Sequence, residues 1–322
     1  MLVSVLLLVA GLVILVLAGD RLVRSAGRLA LLLGMPPIVI GATVVAFGTS
    51  MPEFTVSVIG AVQGASGVAA GNVVGSNIIN IFAVLGFAAL ISPIAVHRRM
   101  LRFDIPVLVV VTGWALFLLM DGVVTRIEGG ISVLLLFVFS AAQLKWFGSS
   151  DVQAEGPVEF EGFPVPHEGD HPRAIIELPL VTVAVAVLAA GSWLFVRGAT
   201  DLAERAGVSE FAIGATVVAL GTSLPELVTS VIAAWKREDD IAIGNVVGSN
   251  LFNILGVLGG AALARPVDID LELFQFELPA MAVAALVLVP LAWPRLRIGR
   301  IEGGLLVVAF IGYTALTLIR GS

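Results

Sequence analysis

The chain has 322 residues, of which 13% are charged and 58% apolar, with a net charge of −6; its mean hydropathy of +1.06 and its charge content, against about 25% in soluble globular chains, exclude water as its solvent. The absence of cysteine rules out disulfides, thiolate metal sites and cysteine nucleophiles, and three histidines, His97, His167 and His171, leave little for a transition-metal centre. Much of the negative charge sits in one loop, and neither a basic block nor an aromatic platform suggests a nucleic-acid partner.

Stretches without Asp, Glu, Lys or Arg run over 1–19, 29–52, 54–97, 178–196 and 241–264, and about 20 such residues cross a bilayer. With breaks at charge clusters and Gly/Pro pairs, the hydropathy predicts an all-α polytopic membrane protein of ten helices: 2–33, 37–62, 68–91, 103–120, 127–147, 174–206, 209–235, 241–263, 276–293 and 301–319. No positive charge precedes the first stretch, so it reads as a spanning helix, not a cleaved signal. Segment 148–173 carries Asp151, Glu155, Glu159, Glu161, Glu168 and Asp170 among prolines and glycines. It reads as a solvated linker, without the alternating ligands and central glycine of a calcium loop.

The chain repeats itself. GATVVAFGTSMPEFTVSVI at 41–59 and GATVVALGTSLPELVTSVI at 214–232 match at 14 of 19 positions, and GNVVGSNIINI at 71–81 matches GNVVGSNLFNI at 244–254 at 9 of 11, both at an offset of 173. RIEGG at 126–130 returns at 300–304, an offset of 174. The expected organisation is a first five-helix repeat over 1–147, an acidic linker over 148–173 and a second repeat over 174–322. An odd number of helices per unit makes the second copy enter the membrane from the opposite face, the inverted-repeat plan of many secondary transporters. With the N-terminus outside, twelve Lys and Arg fall on the cytoplasmic side (Arg24, Arg28, Arg98, Arg99, Arg102, Lys145, Arg173, Lys236, Arg237, Arg295, Arg297, Arg300) and five outside (Arg126, Arg197, Arg205, Arg265, Arg320). This favours both termini outside a cell membrane and the linker within the cytoplasm. Arg24 and Arg197, partners in the repeat, are expected to snorkel.

Polarity inside a bilayer is expensive, so the few buried charges should carry the chemistry. Glu53 is the one charged residue between Arg28 and Arg98, and Glu226 the one between Glu210 and Lys236; the two are repeat partners. Each costs about 2.5–3.5 kcal/mol at mid-membrane on insertion scales, and no cationic side chain stands beside either in sequence. Pro52 and Pro225 lack the N–H groups that would bond the carbonyls of Gly48 and Gly221, so both helices should break there and free those carbonyls to face a cation. Thr49 and Ser50 at one break, and Thr222 and Ser223 at the other, add hydroxyl oxygens, although either pair could instead back-bond to its own helix. Asn72, Ser76 and Asn80 share one helical face, as do Asn245, Ser249 and Asn253. Ser76, Asn80, Ser249 and Asn253 are the expected further ligands, whereas Asn72, Asn77, Asn245 and Asn250 fit backbone repair or interhelical bonding better. Such an all-oxygen shell suits Ca2+ and Na+.

GTSMPE with GNVVGSNIIN, and GTSLPE with GNVVGSNLFN, resemble the paired alpha-repeats of the sodium/calcium exchangers in the calcium/cation antiporter superfamily. The resemblance implies antiport of Na+ against Ca2+ through four clustered sites, with long first and sixth helices sliding across a fixed core, and no organic cofactor. It implies that Glu53 and Glu226 bind Ca2+ and also Na+, and that the carbonyls of Ala46 and Ala219, with Thr49, Ser50, Thr222, Ser223, Ser76 and Ser249, line the ion positions. Asparagine at both Asn80 and Asn253 argues against potassium co-transport, which goes with Asp at the latter position in some relatives. The short linker points to a minimal, prokaryotic-type transporter. From charge alone, one Ca2+ neutralises two carboxylates, and any Na+ beyond two adds a voltage-sensitive load. A proton/calcium exchanger and a cation channel remain the alternatives; an intramembrane enzyme lacks a nucleophile and base.

Overall fold

A computed structural model describes residues 1–147, 174–206, 219–272 and 274–320. The expected linker at 148–173 and the beginning of the expected span at 209–235 lie outside the described residues. The elements are helices α1 (Leu2–Leu33), α2 (Pro37–Thr49), α3 (Met51–Gln63), α4 (Ser66–Ile91), α5 (Met100–Leu119), α6 (Arg126–Phe147), α7 (Ala174–Arg205), α8 (Ala219–Thr222), α9 (Leu224–Trp235), α10 (Asp239–Ala264), α11 (Glu277–Ala292) and α12 (Arg300–Arg320), with two-residue strands β1 (Ile94–Ala95), β2 (Val123–Val124), β3 (Val267–Asp268) and β4 (Arg297–Ile298).

Seven of the described helices are long and apolar enough to cross a bilayer, or eight when α2 and α3, bent by 46° at their junction, count as one span. Their outward faces are apolar: Leu6, Val13, Val110, Phe117, Leu134, Phe137, Ile301, Leu305 and Val308 are all exposed. A surface of this kind has no place in water and suits hydrocarbon, where each helix satisfies its own backbone.

Burial sorts the helices into a centre and a rim. The apolar window of α10 is 100% buried and that of α4 78%, whereas those of α1, α6, α7 and α12 range from 17% to 28%. Both central helices open in a π-helical turn at an asparagine, over Asn80–Leu85 and Asn253–Leu258, a local widening common at functional sites. On the rim, α1 and α7 lie antiparallel, tied by Ser4 to Asp201 at one end and by Arg28 to Glu177 (3.4 Å) at the other. The two arginines expected to snorkel each have a partner one turn back on their own helix: Arg24 bonds Asp20 at 2.8 Å, and the Arg197 guanidinium lies 5.1 Å from the centre of the Trp193 ring.

The faint RIEGG echo acquires a structural meaning. Arg126 donates to the carbonyl of Ala264, and Arg300 to those of Leu90 and Ile91, so each caps the C-terminal end of the central helix from the other half. Glu128 accepts from the backbone of Thr125, and Glu302 from that of Gly299, which caps α6 and α12 in the same manner. The glycine that follows lets backbone meet backbone: a Cβ on Gly129 would lie 2.7 Å from the carbonyl oxygen of Gly259, and one on Gly303 2.8 Å from that of Gly86. The ribbons repeat this exchange, β1 pairing antiparallel with β4 and β2 with β3.

Overpacking a tight contact costs about 1–3 kcal/mol. Gly129→Val and Gly303→Val should each lower the thermal unfolding midpoint of the detergent-solubilised protein, while Gly312→Val, where a new Cβ meets nothing within 4 Å, leaves it near wild type. Equal midpoints for all three variants would show that the glycine contacts do not hold the rim to the centre.

Candidate ion-binding site

The proline signal works through the start of a new helix. Ser50 (φ −85°, ψ 8°) and Ser223 (φ −87°, ψ 8°) interrupt the two broken helices with almost identical backbone geometry. Each is followed by a helix whose opening turn contains proline, where a missing N–H is harmless. Glu53 and Glu226 therefore stand in the first turns of α3 and α9, where unpaired N–H groups and the helix dipole favour negative charge. The C-terminal ends of α2 and α8 meet them at the same breaks.

Both glutamates are completely buried, and each is served by the opposite half of the protein. Ser50 Oγ donates to Glu226 Oε1 at 2.8 Å, and Ser223 Oγ donates to Glu53 Oε1 at 3.2 Å. Thr222 also reaches Glu53, and Thr49 and Ser249 reach Glu226. Among the described residues no cationic side chain pairs with either carboxylate. The second oxygens, Glu53 Oε2 and Glu226 Oε2, have no partner, nor do the amide oxygens Asn80 Oδ1 and Asn253 Oδ1. Two carboxylates and two amides, each bonded to a residue of the opposite half, thus keep four buried acceptor oxygens unsatisfied where the two halves meet. No group of three or more His, Cys, Asp and Glu able to hold a metal occurs among the described residues, so any ion here would be held by two charges and otherwise by neutral oxygen.

The remaining expected residues divide by role. Asn72 Nδ2 donates to the carbonyl of Glu53 (3.0 Å) and to Ser57 Oγ (2.9 Å), and Asn245 Nδ2 donates to the carbonyl of Glu226 (3.4 Å) and to Ser230 Oγ (3.0 Å). Both asparagines thus fasten the helices that bear the glutamates to the central pair, as backbone repair requires. Thr49 Oγ1 donates to Asn245 Oδ1 at 3.0 Å, with Ser249 Oγ and the Ala46 carbonyl both farther off at 3.4 Å; back-bonding is not its nearest contact. Ser76 donates to the Val73 carbonyl while accepting from Asn253 Nδ2 at 3.0 Å. Ala46 O also receives the Ser50 N–H at 3.1 Å, so this expected carbonyl ligand is engaged within its own helix. Ala219 opens α8 at the matching position.

One expectation needs correction. The carbonyl of Gly221, freed by Pro225, is not left for a cation alone: the hydroxyl of Ser192 on α7 donates to it. The repeat partner of Ser192 is Gly19, which has no hydroxyl, so the two breaks differ. Sequence reasoning also missed a buried polar chain in which Arg99 donates to Gln143, and Gln143 to Asp104, linking α5 to α6. Asp104 and Gln143 occur once each in their apolar stretches, with no repeat or spacing to join them. Lys236, at the end of α9, pairs with Asp20 of α1, a contact equally invisible before folding.

Comparison with known proteins agrees with this geometry. The chain matches the family described as sodium/calcium exchanger protein over residues 3–145 and 177–319. It is 39% identical to the putative antiporter CaxA of Alkalimonas amylolytica across 97% of this chain and 98% of that protein, and 37% identical to the inner membrane protein YrbG of Escherichia coli across 98% and 97%. Its fold is similar to that of the sodium-calcium exchanger NCX_Mj soaked with zero Na+ and Ca2+, with a TM-score of 0.84 and 30% identity over 98% of this chain and 99% of the other. Two halves that match the same family, broken helices that meet at paired glutamates, and likeness along the full length place the chain in the sodium/calcium exchanger family of multi-pass membrane proteins.

Proposed function

We propose that the chain is a secondary antiporter that exchanges Ca2+ for Na+ by alternating access, with both ions competing for one pocket. The observation that carries this reading is the set of unsatisfied buried oxygens, Glu53 Oε2, Glu226 Oε2, Asn80 Oδ1 and Asn253 Oδ1, at the meeting point of the two halves. Glu53 and Glu226 bind Ca2+ and take part in Na+ binding; Thr49, Ser50, Ser76, Thr222, Ser223 and Ser249, with the carbonyls of Ala46 and Ala219, complete the shell. Hard cations select this ligand chemistry.

The mechanism follows from charge. An empty pocket leaves two carboxylates desolvated, so a crossing between inward-open and outward-open states is arrested until cations neutralise them. Ca2+ supplies the required two charges at once. Na+ reaches the same sum with two ions, and any further Na+ makes the exchange electrogenic. The architecture that suits this cycle is a pair of inverted five-helix repeats over 1–147 and 174–322, joined by the acidic segment 148–173, with both termini outside the cell membrane. It is supported by the twice-matched family and by the reciprocal caps between the halves.

Radioactive calcium uptake into proteoliposomes tests the coupling. Vesicles loaded with Na+ should accumulate Ca2+, and vesicles loaded with K+, or given only a proton gradient, should not; uptake driven by protons alone would assign the chain to proton/calcium exchange. If more than two Na+ leave per Ca2+, an inside-positive potential speeds uptake, whereas identical rates at all potentials mean electroneutral exchange. Glu53→Gln and Glu226→Gln should each reduce uptake at least about a hundredfold, since each removes one buried charge worth several kcal/mol of ion attraction, while the protein still inserts and elutes as a single species. Protons compete for the same carboxylates, so mild acidification should weaken apparent Ca2+ affinity, as read from uptake against Ca2+ concentration.

A further inference from the structure

Asn250 is outside the ligand set, yet its side chain is completely buried in the centre of α10. Among the described residues that side chain makes one hydrogen bond, as acceptor: Asn80 Nδ2 donates to Asn250 Oδ1 at 3.4 Å. Its own Nδ2 has no partner. A buried amide with an unsatisfied donor is costly, so a residue that serves one neighbour at that cost calls for a reason.

The reason lies in the symmetry of a carboxamide. Turning the Asn80 amide over exchanges oxygen and NH2 with almost no change of shape, and the two orientations are opposite in electrostatics. One offers a cation an oxygen; the other presents it with N–H hydrogens. Only the surrounding hydrogen bonds decide between them. With Asn250 Oδ1 taking the NH2 group, Asn80 Oδ1 is left buried and without a partner, free to serve a cation.

We propose that Asn250 is a positioning residue that locks the Asn80 amide with its oxygen toward the transported cation. The other half of the protein does this differently. Asn253 gives its NH2 group to Ser76 Oγ at 3.0 Å, while Asn77, the repeat partner of Asn250, donates to its own helix at the Val73 carbonyl, 2.8 Å away. The same Gly-Ser-Asn sequence thus orients a ligand across the interface through its asparagine in one half and through its serine in the other. The assignment rests on the exchange reading above.

Ca2+ uptake by Na+-loaded proteoliposomes tests it. Asn250→Leu keeps the bulk and removes the acceptor; the KM for Ca2+ should rise about tenfold, the order expected for one lost buried hydrogen bond, with maximal rate preserved. Asn250→Asp retains an acceptor oxygen and should keep a near-wild-type KM. In an Asn80→Asp background, where both oxygens are equivalent and nothing needs orienting, Asn250→Leu should add no further change in KM. An unchanged KM in Asn250→Leu, or an equal rise in the Asn80→Asp background, overturns the proposal, because a packing defect would act in both. Should Asn250→Leu fail to fold, Asn250→Asp decides alone: wild-type KM supports the role and a tenfold rise rejects it. Wild-type protein that takes up no Ca2+ at all would instead refute the exchange reading before any variant is compared.

Discussion

Two carboxylates buried at the centre of the protein without a cationic side chain are the constraint from which the rest of the architecture follows. Glu53 and Glu226 are fully enclosed, and an isolated ion in such surroundings costs several kcal/mol after relaxation. Natural proteins tolerate that cost where the charge meets a mobile partner. The fold lowers it only in part: each glutamate has the first turn of a helix beneath it and a serine from the opposite half donating to one of its oxygens. The other oxygen of each is left for something the chain does not itself provide.

Internal duplication makes this arrangement economical. The two breaks share one backbone geometry at Ser50 and Ser223, the two asparagines that fasten them make matching bonds, and the arginines that cap the central helices do so reciprocally. Each half leaves carbonyls and apolar faces that the other covers, so neither half has a closed centre alone. The positions where matching fails are informative for the same reason. Ser192 stands against Gly19, and the cross-interface bond of Asn250 against the local one of Asn77. They make the two sides of the pocket chemically unequal, which a carrier working between two different solutions can use.

The residues of the candidate site stand out before folding because their signals are local. A glutamate alone in a long apolar stretch, a proline one residue before it and a polar stripe at helical spacing can each be seen within ten residues, and the offset of 173 ties them into pairs. The family followed from the same motifs. Less legible were contacts whose partners are far apart and whose residue types carry no special signature: Ser192 on the Gly221 carbonyl, Lys236 on Asp20, and the chain from Arg99 through Gln143 to Asp104. The expectation for Gly221 went astray for this reason, since a proline reveals that a carbonyl is freed but says nothing of what will take it.

The sequence by itself determined the solvent, the duplication, the helix breaks and the chemical character of the pocket, because hydropathy, repetition, missing N–H groups and ligand type are properties of short segments. Tertiary structure alone decided which serine serves which glutamate, which asparagines hold backbone and which present oxygen, and which freed carbonyl is already taken. Those outcomes depend on the direction of individual donors and acceptors across an interface between segments about 170 residues apart, and direction in space is not written in the order of residues.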